Sequence, residues 1–105
     1  MKPPSKIYLA GPMTGMPDHG FPVFNAAAKK LRDLGFDVVN PAEIGKLGDG
    51  WLACMKADIK QLLDCDLVVL LPGYESSKGA KLECDLAIGL GIRCLPLELF
   101  LAASQ

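Results

Sequence analysis

One stretch, from Asp66 to Gly91, constrains the fold more than any other; it reads DLVVLLPGYESSKGAKLECDLAIGLG. Its unbroken run of Leu and Val, Leu67–Leu71, lies between an Asp and a Pro-Gly pair, which is typical of a strand covered on both faces. Residues 72–78 are rich in turn-forming types, and the pattern then predicts a helix over residues 79–90. A buried strand followed by a helix is the repeating unit of a parallel α/β sheet.

The rest of the chain repeats this alternation. Strands are predicted at Lys6–Ala10, Phe36–Val39, Leu67–Leu71 and Ile92–Leu95, and helices at Val23–Leu34, Trp51–Asp64 and Gly79–Leu90. An apolar turn or helix at Leu97–Ala103 is expected to pack on the sheet or on a second subunit. We therefore expect a single α/β domain over residues 1–105. It should have three layers around a doubly wound parallel sheet of four to five strands, as in flavodoxin-like and Rossmann-like folds.

Composition excludes several classes of function. The formal net charge is −1 and no block of like charges occurs, so we expect no nucleic-acid partner. The apolar runs are shorter than a membrane span and the N-terminus lacks a signal-peptide pattern, so we expect no membrane partner and a cytoplasmic location. The four cysteines form no C-x-x-C pair and have no zinc-type spacing with the single His19. Small buried thiols are expected, with neither a metal nor a cofactor.

Two acidic residues fall on the apolar faces of predicted helices. The neighbours of Glu83 at i−3, i+3, i+4 and i+7 are Ala80, Leu86, Ala87 and Leu90. The neighbours of Asp58 at i−7, i−4, i−3, i+4 and i+7 are Trp51, Cys54, Met55, Leu62 and Cys65. Carboxylates are rarely buried unless they are paired or functional. A boundary side chain that reaches water explains one such acid, but two on helices flanking the same strand predict a site.

The loops predict where that site lies. In doubly wound sheets a ligand binds beyond the carboxyl ends of the strands, near the topological switch point. The loops at 11–22, 40–50 and 72–79 all leave those ends. The first, GPMTGMPDHGFP, is long for so small a domain, and such loops usually carry function. We expect one cleft with Tyr8 at its floor, the 11–22 loop on one side and Ser76 and Ser77 on the other.

Several residues of these loops are candidate ligand contacts. Gly11 and Gly15 allow backbone N–H groups to approach a ligand closely, as phosphate-binding turns do. Met13, Met16 and Phe21 could line a pocket for a base, whereas Trp51 and Met55 are expected to be core residues rather than residues that stack on a base. Asn40, after the second strand, either reaches the cleft or shapes the Asn-Pro turn.

The motifs in combination resemble a known family. They are IYLAGPMTG, then VVNPAE, then Trp51 seven positions before Asp58, then CDLVVLLPGYESSKGAKLE. Over nearly all of residues 5–96 they resemble a group of small, mostly uncharacterised bacterial and phage proteins. That group is similar in turn to the nucleoside 2-deoxyribosyltransferases and to the N-glycosidases that cleave nucleoside 5′-monophosphates.

The resemblance implies roles for individual residues. Glu83 falls at the position of the nucleophilic or transition-state-stabilising Glu, Asp58 at that of an Asp contacting sugar and base, and Tyr8 at that of a Tyr that steadies the Glu. At the position of Ser77 the transferases tend to have an Asp, whereas the monophosphate glycosidases have a phosphate-binding Ser. With the loop candidates, the expected substrate contacts are Gly11, Met13, Gly15, Phe21, Asn40, Ser76, Ser77 and Gly79.

The expected activity is cleavage or transfer at the N-glycosidic bond of a nucleoside, a deoxynucleoside or a 5′-monophosphate. A carboxylate beneath C1′ stabilises or captures the sugar cation, and a second acid assists the leaving base. Glu83 suits the first role, because the helix N-terminus is expected to keep it ionised near neutral pH. Asp58 suits the second if its apolar surroundings raise its pKa.

Two alternatives belong to other functional classes. One is a non-catalytic nucleotide-binding or regulatory module on the same scaffold, and the other is a thiol protein that uses the four cysteines. For both the enzyme and the binding module, the expected partner is a small nucleoside or nucleotide. The resemblance also implies a homodimer or higher homo-oligomer, for which the apolar tail of Leu97, Leu99, Phe100 and Leu101 is suited.

Overall fold

The structure is a computed structural model that describes residues 6–44 and 50–104. The strands are β1 (Lys6–Ala10), β2 (Asp37–Val39), β3 (Leu67–Leu70) and β4 (Arg93–Pro96), and the helices are α1 (Phe21–Asp33), α2 (Trp51–Leu62), α3 (Lys78–Gly89) and α4 (Leu97–Ala103). Each bound lies within two residues of the predicted one. Of the predicted loop at 40–50, residues 45–49 lie outside the described part of the chain.

The four strands form one parallel sheet in the order β2-β1-β3-β4. This confirms the predicted parallel α/β sheet. From β1 the chain crosses to β2 on one side and then returns to β3 on the other, so the direction of winding reverses between β1 and β3. In such sheets the ligand crevice opens at the carboxyl ends of the two strands that flank this reversal.

Side chains alternate along β1 and separate two cores. Ile7 and Leu9 pack with the buried residues of α1 and with Phe100 of α4. Tyr8 and Ala10 face the opposite side, where α2 and α3 supply Leu62, Ala80 and Ala87. Because successive residues of a strand point to opposite faces, a sheet covered in this way is buried on both sides. The domain therefore has the three predicted layers, and Tyr8 faces the α2–α3 layer.

The C-terminal helix packs on its own sheet. Phe100 is buried and meets the ring of Phe36 edge to face, with the ring centroids 5.2 Å apart. Leu97 and Leu101 pack against the same core, whereas Leu99 is 59% exposed. Within residues 6–44 and 50–104, no helix combines the length and the apolar character that crossing a bilayer requires.

The loop after β1 contains an unusual turn. Asp18, His19 and Gly20 have φ angles of 51°, 58° and 75°, so three consecutive residues are left-handed. A Cβ atom on Gly20 would lie 2.4 Å from the carbonyl oxygen of Pro12. Gly20 is therefore required both by its backbone angle and by the close approach of the two ends of the loop.

We expect Gly20→Ala to lower the free energy of unfolding by more than about 2 kcal/mol, because it adds a backbone clash to the strain of a left-handed residue. Gly15→Ala is a matched control: Gly15 has a φ of 81°, but nothing lies within 4 Å of a Cβ atom there. It should cost only about 1 kcal/mol. Urea unfolding of both variants measures the difference, and equal losses would show that the contact with Pro12 does not constrain the loop.

Candidate functional site

A cavity of about 540 Å³ opens at the carboxyl ends of the strands. Its wall is formed by the loop after β1, the first turns of α1, the inner face of α2 and the first turns of α3. Its volume is in the range of pockets that hold small organic ligands. The three segments that leave the carboxyl ends of β1, β2 and β3 all contribute, as the topology predicts.

Gly11 brings β1 and β3 into close contact where the cavity begins. A Cβ atom at this position would lie 2.8 Å from Cβ of Leu71. The Leu71 N–H donates to the carbonyl oxygen of Ala10 at 2.8 Å, so the two chain segments remain paired just beyond the strands. Only a glycine fits this approach, and it leaves its backbone against the cavity.

Tyr8 and Glu83 are joined beneath the cavity. The Tyr8 hydroxyl donates a hydrogen bond to Oε2 of Glu83. Tyr8 is fully buried and Glu83 is 5% exposed. Burial and the neighbouring Glu83 charge raise the pKa of Tyr8 far above its usual range. Tyr8 therefore stays protonated and acts only as a donor that fixes the position of the Glu83 carboxyl group.

Glu83 and Asp58 both line the cavity, and both bind protons more tightly than ordinary carboxyl groups. Burial raises the pKa of Asp58 to about 6. Burial also raises the pKa of Glu83 to about 8; the Tyr8 hydrogen bond offsets part of this rise, and the Asp58 charge adds to it. The expectation that the helix N-terminus keeps Glu83 ionised at neutral pH is therefore wrong, because burial of the carboxyl group outweighs the hydrogen bond that favours its ionised form.

The family of the chain follows from its sequence. Residues 5–95 match the family described as Domain of unknown function (DUF4406). The chain belongs to the DUF4406 family. No curated protein matches it. The family description assigns no activity, so the chemistry of this DUF4406 protein has to be inferred from its site.

Most of the predicted site residues of the DUF4406 chain meet at one place. Those that line the cavity are Gly11, Met13, Phe21, Asp58, Ser77, Gly79 and Glu83. Tyr8 lies behind Glu83 and reaches the cavity only through it. Ser77 also caps α3, because its hydroxyl accepts a hydrogen bond from the Ala80 N–H at 3.2 Å. The cap fixes the first turn of α3 against the cavity.

Three predicted substrate contacts lie outside the cavity wall. Gly15 is exposed in the loop after β1, and the Ser76 hydroxyl donates to the carbonyl oxygen of Gly73 at 3.0 Å. Asn40 is 2% exposed: its amide oxygen accepts from the Ala42 N–H at 3.0 Å, and its amide nitrogen donates to Asn25 at 2.9 Å. Of the two roles considered for Asn40, the structure supports shaping the turn.

Sequence reasoning placed Trp51 in the core, and this is wrong. Trp51 is 38% exposed and lines the cavity together with Lys78, whose Nζ lies 4.7 Å from the centroid of the Trp51 ring. Met55 is buried but also reaches the cavity wall. The sequence did indicate that Trp51 could reach the cavity, because it lies two helical turns before Asp58 and on the same face of the helix. His19, Cys54 and Lys78 are further lining residues.

The acids and cysteines of the described residues form no metal-binding group, and two of the thiols have raised pKa values. Residues 6–44 and 50–104 contain no group of three or more His, Cys, Asp or Glu side chains arranged to hold a metal ion. The four cysteines form no disulfide among themselves. Burial raises the pKa of Cys65 to about 11 and that of Cys94 to about 12. Both thiols are therefore poor nucleophiles at neutral pH.

Proposed function

We propose that this DUF4406 protein cleaves or transfers at the N-glycosidic bond of a nucleoside, a deoxynucleoside or a nucleoside 5′-monophosphate. The observation that carries the proposal is the pair of buried acids, Glu83 and Asp58, in one cavity at the switch point, with Glu83 fixed by Tyr8. The resemblance of the motifs to nucleoside transferases and nucleotide glycosidases supports the same chemistry.

In this mechanism the departing base takes the electron pair of the C1′–N bond, and the sugar becomes cationic at C1′. Ionised Glu83 stabilises that cation or forms an ester with C1′. Protonated Asp58 gives its proton to the base as the bond breaks. Water or a second base then takes the sugar, and the proton that this water or base releases goes to the Asp58 carboxylate. The choice between water and a base separates the hydrolase from the transferase.

The proton distribution in the free protein is the reverse of the productive one. With a pKa of about 8 for Glu83 and about 6 for Asp58, the first proton to leave comes from Asp58. The form with Glu83 ionised and Asp58 protonated is then the minor one of the two singly protonated forms. A cationic sugar over Glu83 favours its ionised form, so the substrate itself increases the productive fraction.

We expect a bell-shaped dependence of kcat/KM on pH, with limbs near 6 and 8. Tyr8→Phe removes the hydrogen bond that lowers the pKa of Glu83. The alkaline limb should therefore move to higher pH, and the height of the bell should fall about 10-fold for each unit of that shift. Initial rates of base release between pH 4.5 and 10 test both effects.

The matched control is Tyr74→Phe, since the chain has only two tyrosines and Tyr74 does not line the cavity. It should leave both limbs in place. A fall in rate for Tyr8→Phe without movement of the alkaline limb would show that Tyr8 does not act through the ionisation of Glu83.

One observation favours a binding module without catalysis. A Glu83 pKa of about 8 leaves the proposed nucleophile mostly protonated at neutral pH, as suits a carboxyl group that donates a hydrogen bond to a ligand. In this alternative the nucleotide occupies the same cavity and raises the melting temperature, but its glycosidic bond stays intact.

Base release separates the two functions. The purified protein is incubated with ribo- and deoxyribonucleosides and their 5′-monophosphates, and free base is measured by chromatography. Release from at least one substrate supports the proposed activity. A rise in melting temperature with a nucleotide, but no base released from any of them, would contradict it and support the binding module.

A further inference from the structure

The single tryptophan of the chain lies at the outer part of the cavity, paired with a cation. Trp51 begins α2 and is 38% exposed, whereas Glu83 and Asp58 are 5% and 9% exposed. Lys78 begins α3, and its Nζ lies 4.7 Å from the centroid of the Trp51 ring. Both side chains line the cavity. An ammonium group therefore covers one face of an aromatic ring that is otherwise available to a ligand.

Close packing of the two helices produces this contact. A Cβ atom on Gly79 would lie 3.1 Å from Sδ of Met55 and 3.8 Å from Nε1 of Trp51. The absence of a side chain at Gly79 lets the first turn of α3 approach α2, and Lys78 then reaches across the Trp51 ring. A cation–π contact at an exposed site is weak, so other partners can displace the lysine.

We propose that the Trp51–Lys78 pair selects ligands in which a flat aromatic base is joined to an anionic group. Within the proposed function, on which this inference rests, such a ligand is a nucleoside 5′-monophosphate rather than a nucleoside. The phosphate forms a charge-assisted hydrogen bond with Lys78, which is stronger than the contact the lysine leaves. The uncovered ring of Trp51 then stacks on the base.

The depth of the acids agrees with this arrangement. In a β-nucleotide the base and the 5′-phosphate project from the same face of the ribose. A carboxylate that attacks C1′ opposite the base lies on the other face. Glu83 is deep in the cavity and the Trp51–Lys78 pair is near its opening. Glu83 can therefore contact one face of the sugar while the base and phosphate on the other face contact Trp51 and Lys78. A nucleoside has to displace the Lys78 ammonium group from the Trp51 ring, but it carries no phosphate with which the lysine can then pair. Inorganic phosphate can pair with Lys78, but it has no base to stack on Trp51.

Binding is tested by the emission of Trp51, the single tryptophan of the chain. The four ribonucleoside 5′-monophosphates, their nucleosides and inorganic phosphate are titrated into the full chain carrying Glu83→Gln, which prevents turnover. We expect at least one monophosphate to change the emission and to bind about 10-fold more tightly than its nucleoside. Lys78→Ala in the same background should remove this preference, whereas Lys81→Ala, an exposed lysine outside the cavity wall, should keep it.

Calorimetry on Trp51→Leu gives a second readout, and both the nucleoside and the monophosphate should bind more weakly. Equal affinities for the two, with Lys78→Ala indistinguishable from Lys81→Ala, overturn the inference. So does the absence of any emission change with all the ligands.

Base release by the protein with Glu83 intact is measured separately, so that the two proposals can fail independently. Monophosphate binding that depends on Lys78, without release of base, supports the selection by the pair and removes the glycosidase chemistry. Release from nucleosides at the rate of monophosphates, unchanged by Lys78→Ala, overturns the selection and supports the glycosidase.

Discussion

We expect Glu83→Gln to lower the rate of base release by about 1,000-fold or more. The amide cannot supply the negative charge that stabilises or captures the sugar cation. It has nearly the shape of the carboxyl group, and its oxygen can still accept the hydrogen bond from Tyr8. The loss therefore reports on the charge of Glu83 rather than on the packing of α3. Single-turnover chromatography of free base, with the protein in excess, measures the chemical step.

The matched control for charge is Glu75→Gln. Glu75 is exposed in the loop before α3 and does not line the cavity. Its replacement removes one negative charge from the same part of the molecule and should change the rate less than about 3-fold. Retention of activity by Glu83→Gln to within 10-fold of the original protein would rule out Glu83 as the carboxylate that acts at C1′.

The second large effect of Glu83→Gln is on stability: the variant is expected to lose activity but to gain unfolding free energy at high pH. The pKa of Glu83 is raised from its ordinary 4.5 to about 8 in the folded protein. The folded state therefore binds the Glu83 proton more tightly than the unfolded state does. The corresponding stability is complete below the unfolded pKa and is lost as the pH rises through 8. Asp58 contributes a smaller loss of the same sign, which ends near its pKa of about 6.

Glu83→Gln removes this loss, because the amide has no proton to release. Relative to the original protein, the variant should gain about 4 kcal/mol of unfolding free energy between pH 4 and pH 8. Urea unfolding at the two pH values measures the gain. Glu75→Gln should show no comparable gain. A stability difference for Glu83→Gln that is the same at pH 4 and pH 8 would show that folding does not change the proton affinity of Glu83.

The two effects have one physical origin. A carboxyl group enclosed between the sheet and α3 costs free energy when it is ionised, and only a bound cation or a developing positive charge repays that cost. Replacing it with a neutral amide should remove the loss of stability that accompanies its ionisation, and it also removes the group on which the proposed reaction depends. Such a conflict between stability and activity is common at functional sites.

Much of this architecture could be predicted from the sequence. The strand and helix periods placed β1–β4 and α1–α4 within two residues, because buried strands and amphipathic helices have distinct apolar patterns. The burial of Glu83 and Asp58 also followed from pattern, since both fall on apolar helical faces. The order of the strands in the sheet was not predicted. The right-handed crossover rule fixes on which face each helix packs, but only after it is known which strands are neighbours.

What the sequence did not reveal depends on contacts between distant segments. The proton affinity of Glu83 is set by its enclosure beneath the sheet and by the hydroxyl of Tyr8, 75 positions away. The exposure of Trp51 depends on where the first turn of α2 lies relative to α3. Asn40 could have faced the cleft or its own turn, and the choice is made by its hydrogen bond to Asn25 of α1.

The proton that Glu83 holds in the empty protein links the stability of the domain, the pH profile and the proposed chemistry. The most direct measurement is a ¹³C NMR titration of the side-chain carboxyl carbons, in the original protein and in Glu83→Gln. We predict one glutamate that titrates near 8 and is missing from Glu83→Gln, and one aspartate that titrates near 6. If instead every glutamate titrates near its ordinary pKa of 4.5, Glu83 is ionised in the empty cavity and the proposed reverse arrangement of protons is wrong.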